Sequence, residues 1–275
     1  MNNLKLLFAL IVFSILTISC HKENELIDEN LMKIRDFFLV DKIYNYQNEL
    51  LAEYIYDDNN KLVKRIITAH NIEAGLPITD KYEDVFVYEN GLVSKIIHYW
   101  DRYNSTNETY FFYNSEKQLI KTKKALNTSN YHYENGNVVS IYGDNEKPFE
   151  TNTIVYNTAK NATKHLHIVP KLNNFGEPIQ GKYEKVTYNY EYDNKPKPNF
   201  GIDYLFVYCA LPQMGTETGF SRELSRTNLT KYVQSGTTWS YTYNENGLPE
   251  TIETRWNGIE TLEPMLLRIT YRQVK

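Results

Sequence analysis

Apolar and polar residues alternate along most of this chain with a period of two, which predicts strands rather than helices. The exceptions lie near the N-terminus. Leu6 to Ile18 (LLFALIVFSILTI) is an apolar run of 13 residues. His21 to Glu29 (HKENELIDE) is then polar without β-pattern, and Leu31, Ile34 and Phe38 are spaced for one face of a short helix. The alternative is a linker there, with a strand already beginning near Phe37 (FFLVDKIYNY). Beyond that point one phrase recurs: EYIYDDNNKLVKRI (53–66), VFVYENGLVSKI (85–96), TYFFYNSEKQLIKT (109–122), NYHYENGNVVSI (130–141) and SYTYNENGLPETI (240–252). Weaker copies are TIVYNTAKNATKH (153–165) and TYNYEYDNKPK (187–197).

Each part of the phrase has a physical reason. Aromatics at i and i+2 share one face of a strand, and bulky rings suit a half-buried pleated surface. Asn-Gly supplies the positive φ angles of a tight hairpin turn. The apolar–x–x–apolar stretch that follows returns the chain as a second strand. Tyr56, Tyr88, Tyr113, Tyr133 and Tyr156 lie 32, 25, 20 and 23 residues apart, and Tyr243 anchors a later copy. A hairpin with its return connection takes about that length. The expected fold is mainly β: an antiparallel meander of roughly a dozen strands, forming one large curved sheet or sandwich, with a short N-terminal helix or linker. The repeat tyrosines are expected to pack along the sheet with their hydroxyls on water or a backbone partner.

One stretch breaks the alternation. Tyr192 to Gly215 (YDNKPKPNFGIDYLFVYCALPQMG) carries Pro196, Pro198 and Pro212, which do not suit a central strand. It reads as a proline-containing apolar insertion at about 193–230, with a short helix in its middle and Cys209 as a buried thiol. Arg222 to Asn228 reads as turn-like. The predicted organisation is a signal segment at 1–19, a polar tether at 20–36 and a single β-repeat domain at 37–275.

The N-terminal run is too short to span a bilayer, which takes about 20 apolar residues, and it has the length of a signal-peptide core. It ends Thr17-Ile18-Ser19-Cys20, a small residue directly before a cysteine, which resembles a lipobox, although Thr17 stands where leucine is usual. The resemblance implies that Cys20 is lipidated (palmitate among the acyl chains) and becomes the first residue of the mature chain. Removing 19 of 275 residues leaves 256, and the loss of Lys5 moves the net charge from −4 to −5. Such mild acidity gives no reason to expect nucleic acid, which favours a basic face. Cys209 is then the one cysteine besides Cys20, so no internal disulfide is expected.

Taken together, the lipobox cysteine, the tyrosine hairpins and the phrase Tyr192 to Gly201 (YDNKPKPNFG) resemble a group of Bacteroidetes lipoproteins with tyrosine-rich, YD-like repeats. The hairpin phrase alone is also similar to the YD repeats of much larger Rhs-type shells. The resemblance covers most of residues 50–255. It implies a β-rich fold and an envelope location, lipid-anchored at the outer membrane with the face undetermined, and it brings no activity and no catalytic residues.

Candidate chemistry is sparse. No nucleophile elbow, zinc-protease motif, phosphate loop or dinucleotide fingerprint occurs, and no cofactor is implied. His165 and His167 share a strand face as a metal pair could, but no third ligand stands at a suggestive spacing, so solvated strand histidines are expected. His70, His98 and His132 are scattered, and Asp57-Asp58 and Glu83-Asp84 are acid pairs expected to stay hydrated. Tyr99, Trp100, Tyr103, Trp239 and Trp256 lie near predicted strand ends, where rings could stack on sugars. Three functions follow, in order of preference. The first is a lipid-anchored binding or structural module with an envelope partner. The second is a glycan-binding protein. The third is an envelope hydrolase.

Overall fold

The computed structural model describes residues 29–73, 76–143, 152–202, 219–257 and 264–274. The signal segment, Cys20, most of the tether, and Tyr204 to Leu211 with Cys209 lie outside the described residues. Helix α1 (Glu29–Arg35) leads into sixteen strands. The first eight are β1 (Phe38–Asn45), β2 (Leu50–Tyr56), β3 (Leu62–Glu73), β4 (Leu76–Glu89), β5 (Leu92–Trp100), β6 (Ser105–Tyr113), β7 (Leu119–Lys124) and β8 (Asn127–Glu134). Then follow β9 (Asn137–Tyr142), β10 (Asn152–Tyr156), β11 (Ala162–Leu172) and β12 (Pro178–Pro196). After helix α2 (Gly219–Leu224) come β13 (Thr227–Tyr232), β14 (Thr237–Tyr243), β15 (Pro249–Arg255) and β16 (Met265–Gln273).

Every strand pairs antiparallel with its neighbours in sequence, and β1 also pairs with β16, from Phe38 opposite Gln273 to Asn45 opposite Leu267. The meander is therefore a closed barrel, and the expected open curved sheet or sandwich is corrected. Closure removes both edges, which an open sheet would have to cover or charge. The strand count also exceeds the expected dozen, because β1, β13 and β16 carry no tyrosine phrase.

Six of the seven phrases form hairpins across the floor of this barrel. The turns take two forms. Asn90-Gly91 and Asn135-Gly136 have positive φ at both residues, as two-residue turns require. The turns opened by Asp57, Asn114, Asn157 and Asn244 are longer. In each, the first residue's N–H donates to the carbonyl four residues on. Its side-chain oxygen accepts from the N–H at that same later position, as from Lys61, Gln118, Asn161 and Leu248. The fourth residue is left-handed: Asn60, Lys117, Lys160 or Gly247. At Gly247 a Cβ would sit 2.8 Å from Leu31 of α1, so glycine is also what lets the helix dock. The phrase 187–197 forms no tight turn: β12 runs through it to Pro196.

The repeat tyrosines explain the phrase. On every even strand one tyrosine hydroxyl donates to a main-chain carbonyl on the preceding odd strand. The pairs are Tyr56–Val40, Tyr88–Leu62, Tyr113–Val93 and Tyr133–Leu119. Around the other half they are Tyr156–Val138, Tyr192–Ala162, Tyr241–Leu229 and Tyr271–Pro249. The eight distances lie between 2.6 and 3.0 Å. The sheet has shifted register beside most of these tyrosines, for example between Ile55 and Tyr56 or Phe112 and Tyr113. A register shift frees a carbonyl from the ladder, and the phenol satisfies it. Burial pushes the Tyr133 phenol up to about 12, so the hydroxyl stays protonated as a donor.

Below this ring the floor is filled. Arg35 Nε donates to the Lys197 carbonyl at 3.0 Å, and Asn199 Nδ2 to that of Arg35 at 3.3 Å. Phe200 packs on Tyr54, with ring centroids 5.0 Å apart. Ala162 N–H reaches Ser225 Oγ at 2.8 Å, tying the segment after α2 to β11. Arg222 to Asn228 is thus the end of a helix and the start of β13, where turn-like structure was expected. A sixteen-stranded circle is wide enough for an aqueous channel, yet here Val40, Ile43, Val93, Ile96, Leu119, Leu229, Ile252 and Leu267 are at most 1% exposed within one apolar cluster. The outer face is charged. Cross-strand pairs Lys42–Glu53 (3.2 Å), Lys95–Glu108 (2.8 Å) and Lys231–Glu191 (3.3 Å) stud it. Between these pairs Ile55, Tyr110, Phe112, Ile120 and Val155 expose apolar surface on the same face.

Candidate functional site

Counting three residues on from each carbonyl that accepts a tyrosine gives the next interior layer: Ile43, Arg65, Ile96, Thr122, Ile141, His165, Tyr232 and Ile252. Isoleucine fills four of the eight positions. Arg65 and His165 stand on β3 and β11, eight strands apart and so on opposite walls of the sixteen-stranded barrel. Both belong to hairpins that are longer than their neighbours. Toward the mouth, the end opposite α1, the interior changes from apolar to polar.

On the β3 side Arg65 pairs with Asp84 of β4, with Nε donating to Oδ2 at 2.9 Å and Nη2 to the same oxygen. His98 of β5 meets Asp84 Oδ1 through Nδ1 at 2.6 Å, and its Nε2 lies 3.0 Å from Thr109 Oγ1 on β6. Arg65 and Asp84 are each 7% exposed and Thr109 is 1% exposed. Burial alone, the largest effect, would raise the Asp84 carboxyl. The His98 hydrogen bond and the Arg65 charge together outweigh it and hold Asp84 below the usual carboxylate range. The acid pair Glu83-Asp84, expected to stay hydrated, is split by the strand's alternation. Glu83 faces out to Lys64 at 2.5 Å and Lys81 at 3.2 Å, while Asp84 faces in.

Hydroxyl, imidazole and carboxylate in this order are the parts of a nucleophilic relay. The hydroxyl decides against that use. Thr109 is buried, and it is not among the residues lining the neighbouring cavity. The chain of bonds joins four strands through charges that satisfy one another.

That cavity opens at the mouth with a volume of about 550 Å³. Arg65, Ile67, Asp84 and His98 line its base; Tyr82, Tyr99, Trp100, Ser105, Thr106, Asn107 and Lys124 form its sides. Tyr82 and Trp100 lie opposite each other across β4 and β5 with centroids 5.3 Å apart and planes at 32°. Tyr103 meets Trp100 edge-on at 4.2 Å. Tyr99, Trp100 and Tyr103 are 41%, 36% and 58% exposed. A second, smaller hollow of about 260 Å³, lined by Lys81, Glu83, Tyr99, Trp100 and Asp101 among others, adjoins the first at Tyr99 and Trp100. Of the five aromatics singled out from the sequence, Tyr99 and Trp100 thus line the cavity and Tyr103 packs on Trp100. Trp239 is 5% exposed with the Arg222 guanidinium 5.3 Å above its ring, and Trp256 is half-buried after β15; neither lines this cavity.

On the opposite wall His165 Nε2 and His167 Nδ1 both meet Asn152 Oδ1, at 2.6 and 2.5 Å. They are interior groups, not the solvated strand histidines expected. Burial, helped by the neighbouring His167, pulls His165 down to about 4, and burial also lowers His167. Among the described residues no group of three or more His, Cys, Asp or Glu is placed to hold a metal ion.

The sequence reading missed Arg65, Tyr82, Asn107 and Lys124, and it set Asp84 aside as a hydrated acid. One signal was present: aligned on the accepting carbonyl, the repeats put Arg65 and His165 where isoleucine is the usual occupant.

No protein-family model and no curated protein matches the chain. Among solved structures it is similar to a porin-like protein from Bacteroides uniformis, at 12% identity over 80% of this chain and 89% of that one, with a TM-score of 0.46. It is also similar to a porin-like protein from Bacteroides vulgatus, at 10% identity over 85% of this chain and 99% of that one, with a TM-score of 0.39. Likeness at these values adds nothing to what the strand pairing itself shows about the fold.

Proposed function

We propose that this chain is a cell-envelope binding module, held to the outer membrane by lipid on Cys20, that takes its ligand at the polar mouth of the barrel. The observation that carries this is the mouth cavity. Its volume falls in the range of ligand sites, about 300–1,000 Å³, and it sets aromatic rings beside a few converging polar groups. The tether supports the same arrangement. Eight residues lie between Cys20 and Glu29, nine Cα steps with a reach of at most about 30 Å, and α1 lies at the floor. The floor then faces the membrane and the mouth faces away from it, open to a partner. The charged outer wall suits a barrel standing beside a bilayer on an anchor.

Two measurements test this. Metabolic labelling with an alkyne palmitate should tag the chain and should fail on Cys20→Ala. Mild-detergent extracts of native membranes, or a glycan panel, should yield a ligand whose capture is lost in Trp100→Ala. A ligand retained equally by that variant would move the site elsewhere.

A glycan is the reading favoured within this proposal, because Trp100 offers a partly exposed ring above hydrogen-bonding groups, the arrangement a sugar ring needs. An envelope hydrolase is the weakest reading, since Thr109, the hydroxyl that meets His98 Nε2, is buried.

A further inference from the structure

The chemistry of the mouth selects among sugars, and this step rests on the mouth-binding reading above. Both oxygens of Asp84 are already occupied, one by Arg65 and one by His98. The one carboxylate lining the cavity therefore accepts its hydrogen bonds from the protein. Neutral sugars are commonly held by carboxylates that accept from pairs of hydroxyls, and here both oxygens already accept from the protein. Among the remaining polar groups the Lys124 ammonium can only donate. Lys124 lines the cavity from β7, where it stands opposite Thr109, and no acid partners it among the described residues. Asn107, Ser105 and Thr106 add an amide and two hydroxyls. Of the lining residues Arg65 and Lys124 are cationic and Asp84 is anionic, which leaves the excess charge positive in a chain whose net charge is −4.

We infer that the mouth binds an acidic sugar, a hexuronate residue whose ring lies on Trp100 and whose carboxylate is met by Lys124. The ring supplies area on Trp100 beside Tyr82; the ammonium supplies the discrimination. The filled floor beneath the cavity adds a geometric limit. A polysaccharide cannot thread the barrel, so the site accommodates a short oligomer or the end of a chain.

The test is titration calorimetry of the full chain in mild detergent with α-1,4-trigalacturonate and with the neutral α-1,4-galactotriose, which differ in the carboxylates. The acidic trimer should bind at least about tenfold more tightly, a difference of about 1.4 kcal/mol. Raising the salt should narrow the gap, as screening of an exposed ion pair demands. Lys124→Met, at an exposed position, should keep the wild-type melting temperature while the acidic trimer falls to the neutral one's affinity. Trp100→Ala should weaken both. Equal or tighter binding of the neutral trimer overturns the inference and leaves mouth binding intact, as does an acidic preference that survives Lys124→Met. If neither trimer binds, the inference is also overturned. A Trp100-dependent hit on a broader glycan panel would then spare the mouth-binding reading, and its absence there and in membrane extracts would remove both.

Discussion

One phenolic oxygen per even strand is a small feature, but it caps a buried carbonyl that the sheet's own ladder has released. Tyr56 is 8% exposed and donates to Val40 at 2.8 Å. Tyr56→Phe keeps the ring and strands the carbonyl, which should cost about 1–3 kcal/mol in urea unfolding. Tyr110 is the control: it faces outward with its hydroxyl on Glu108, and Tyr110→Phe should change stability by less than about 0.5 kcal/mol. Equal effects would show that the ring of bonds contributes nothing of its own. The second residue-scale prediction concerns His165. Its folded value of about 4 lies below the ordinary histidine value of 6.5. Between those two values the unfolded chain binds more protons than the folded one, so stability should rise with pH across that window. The contribution is complete above 6.5 and is lost as pH falls toward 4. It amounts to about 3 kcal/mol at most. His165→Gln should flatten that part of the stability profile measured against urea; an unchanged slope would count against burial as its source. The tyrosine spacing was open to reading from sequence because rings repeat visibly. The bond each ring makes was not, because it depends on a register shift that no residue type announces.

At the scale of the hairpin, two turn chemistries solve one problem. Asn-Gly turns were readable, since few other pairs accept two positive φ angles. The longer turns were not. Asp57, Asn114, Asn157 and Asn244 follow a tyrosine and look like ordinary polar punctuation, but each side chain folds back onto the backbone of its own loop. The cost of the left-handed residue falls on whatever side chain stands there. Lys117 has φ 63°. A left-handed L-residue costs about 1–2 kcal/mol, and glycine gives back part of that through its greater unfolded freedom. Lys117→Gly should therefore stabilise by about 0.5–1 kcal/mol, read as a raised melting temperature. Asn114→Ala, which removes the loop's acceptor for Glu116 and Gln118, should destabilise by about 1–2 kcal/mol. If the glycine variant melts lower, the backbone there is not under the strain its φ implies. The phrase at 187–197 misled for a related reason. Asp193 stands where a turn opener stands elsewhere, yet the strand continues past it. Its carboxyl is buried, which raises it, and it accepts from Asn228 N at 3.1 Å and from the Tyr243 hydroxyl. The expected anchor Tyr243 is thereby diverted, and Tyr241 makes the ring's bond to Leu229 instead.

For the whole molecule, the missing fact was closure. Hairpins with this pattern build an open meander as readily as a barrel, because every local contact is the same in both. What distinguishes them is the pairing of β1 with β16, residues more than 200 positions apart, and nothing near either strand encodes it alone. Val40, Ile43, Ile269 and Tyr271 are ordinary alternating strand residues whose meaning appears only when they meet. The polar mouth was hidden by the same cause. Arg65, Asp84, His98 and Lys124 come from four strands, and they become one lining only because the wall curves. Closure makes a strong prediction about the last strand. In an open sheet the loss of a terminal strand removes one pairing and leaves the number of edges unchanged. Here, ending the chain after residue 263 removes two pairings, β15 with β16 and β16 with β1, and turns a wall with no edge into one with two. Leu267 and Ile269, 0% and 3% exposed, leave the core with it. Exposed strand edges pair with other chains, so the truncated chain should elute as large aggregates on size exclusion and bind an amyloid dye, while the full chain in the same buffer does neither. A monodisperse, cooperatively melting truncation would mean that the β1–β16 seam does not close the barrel in solution.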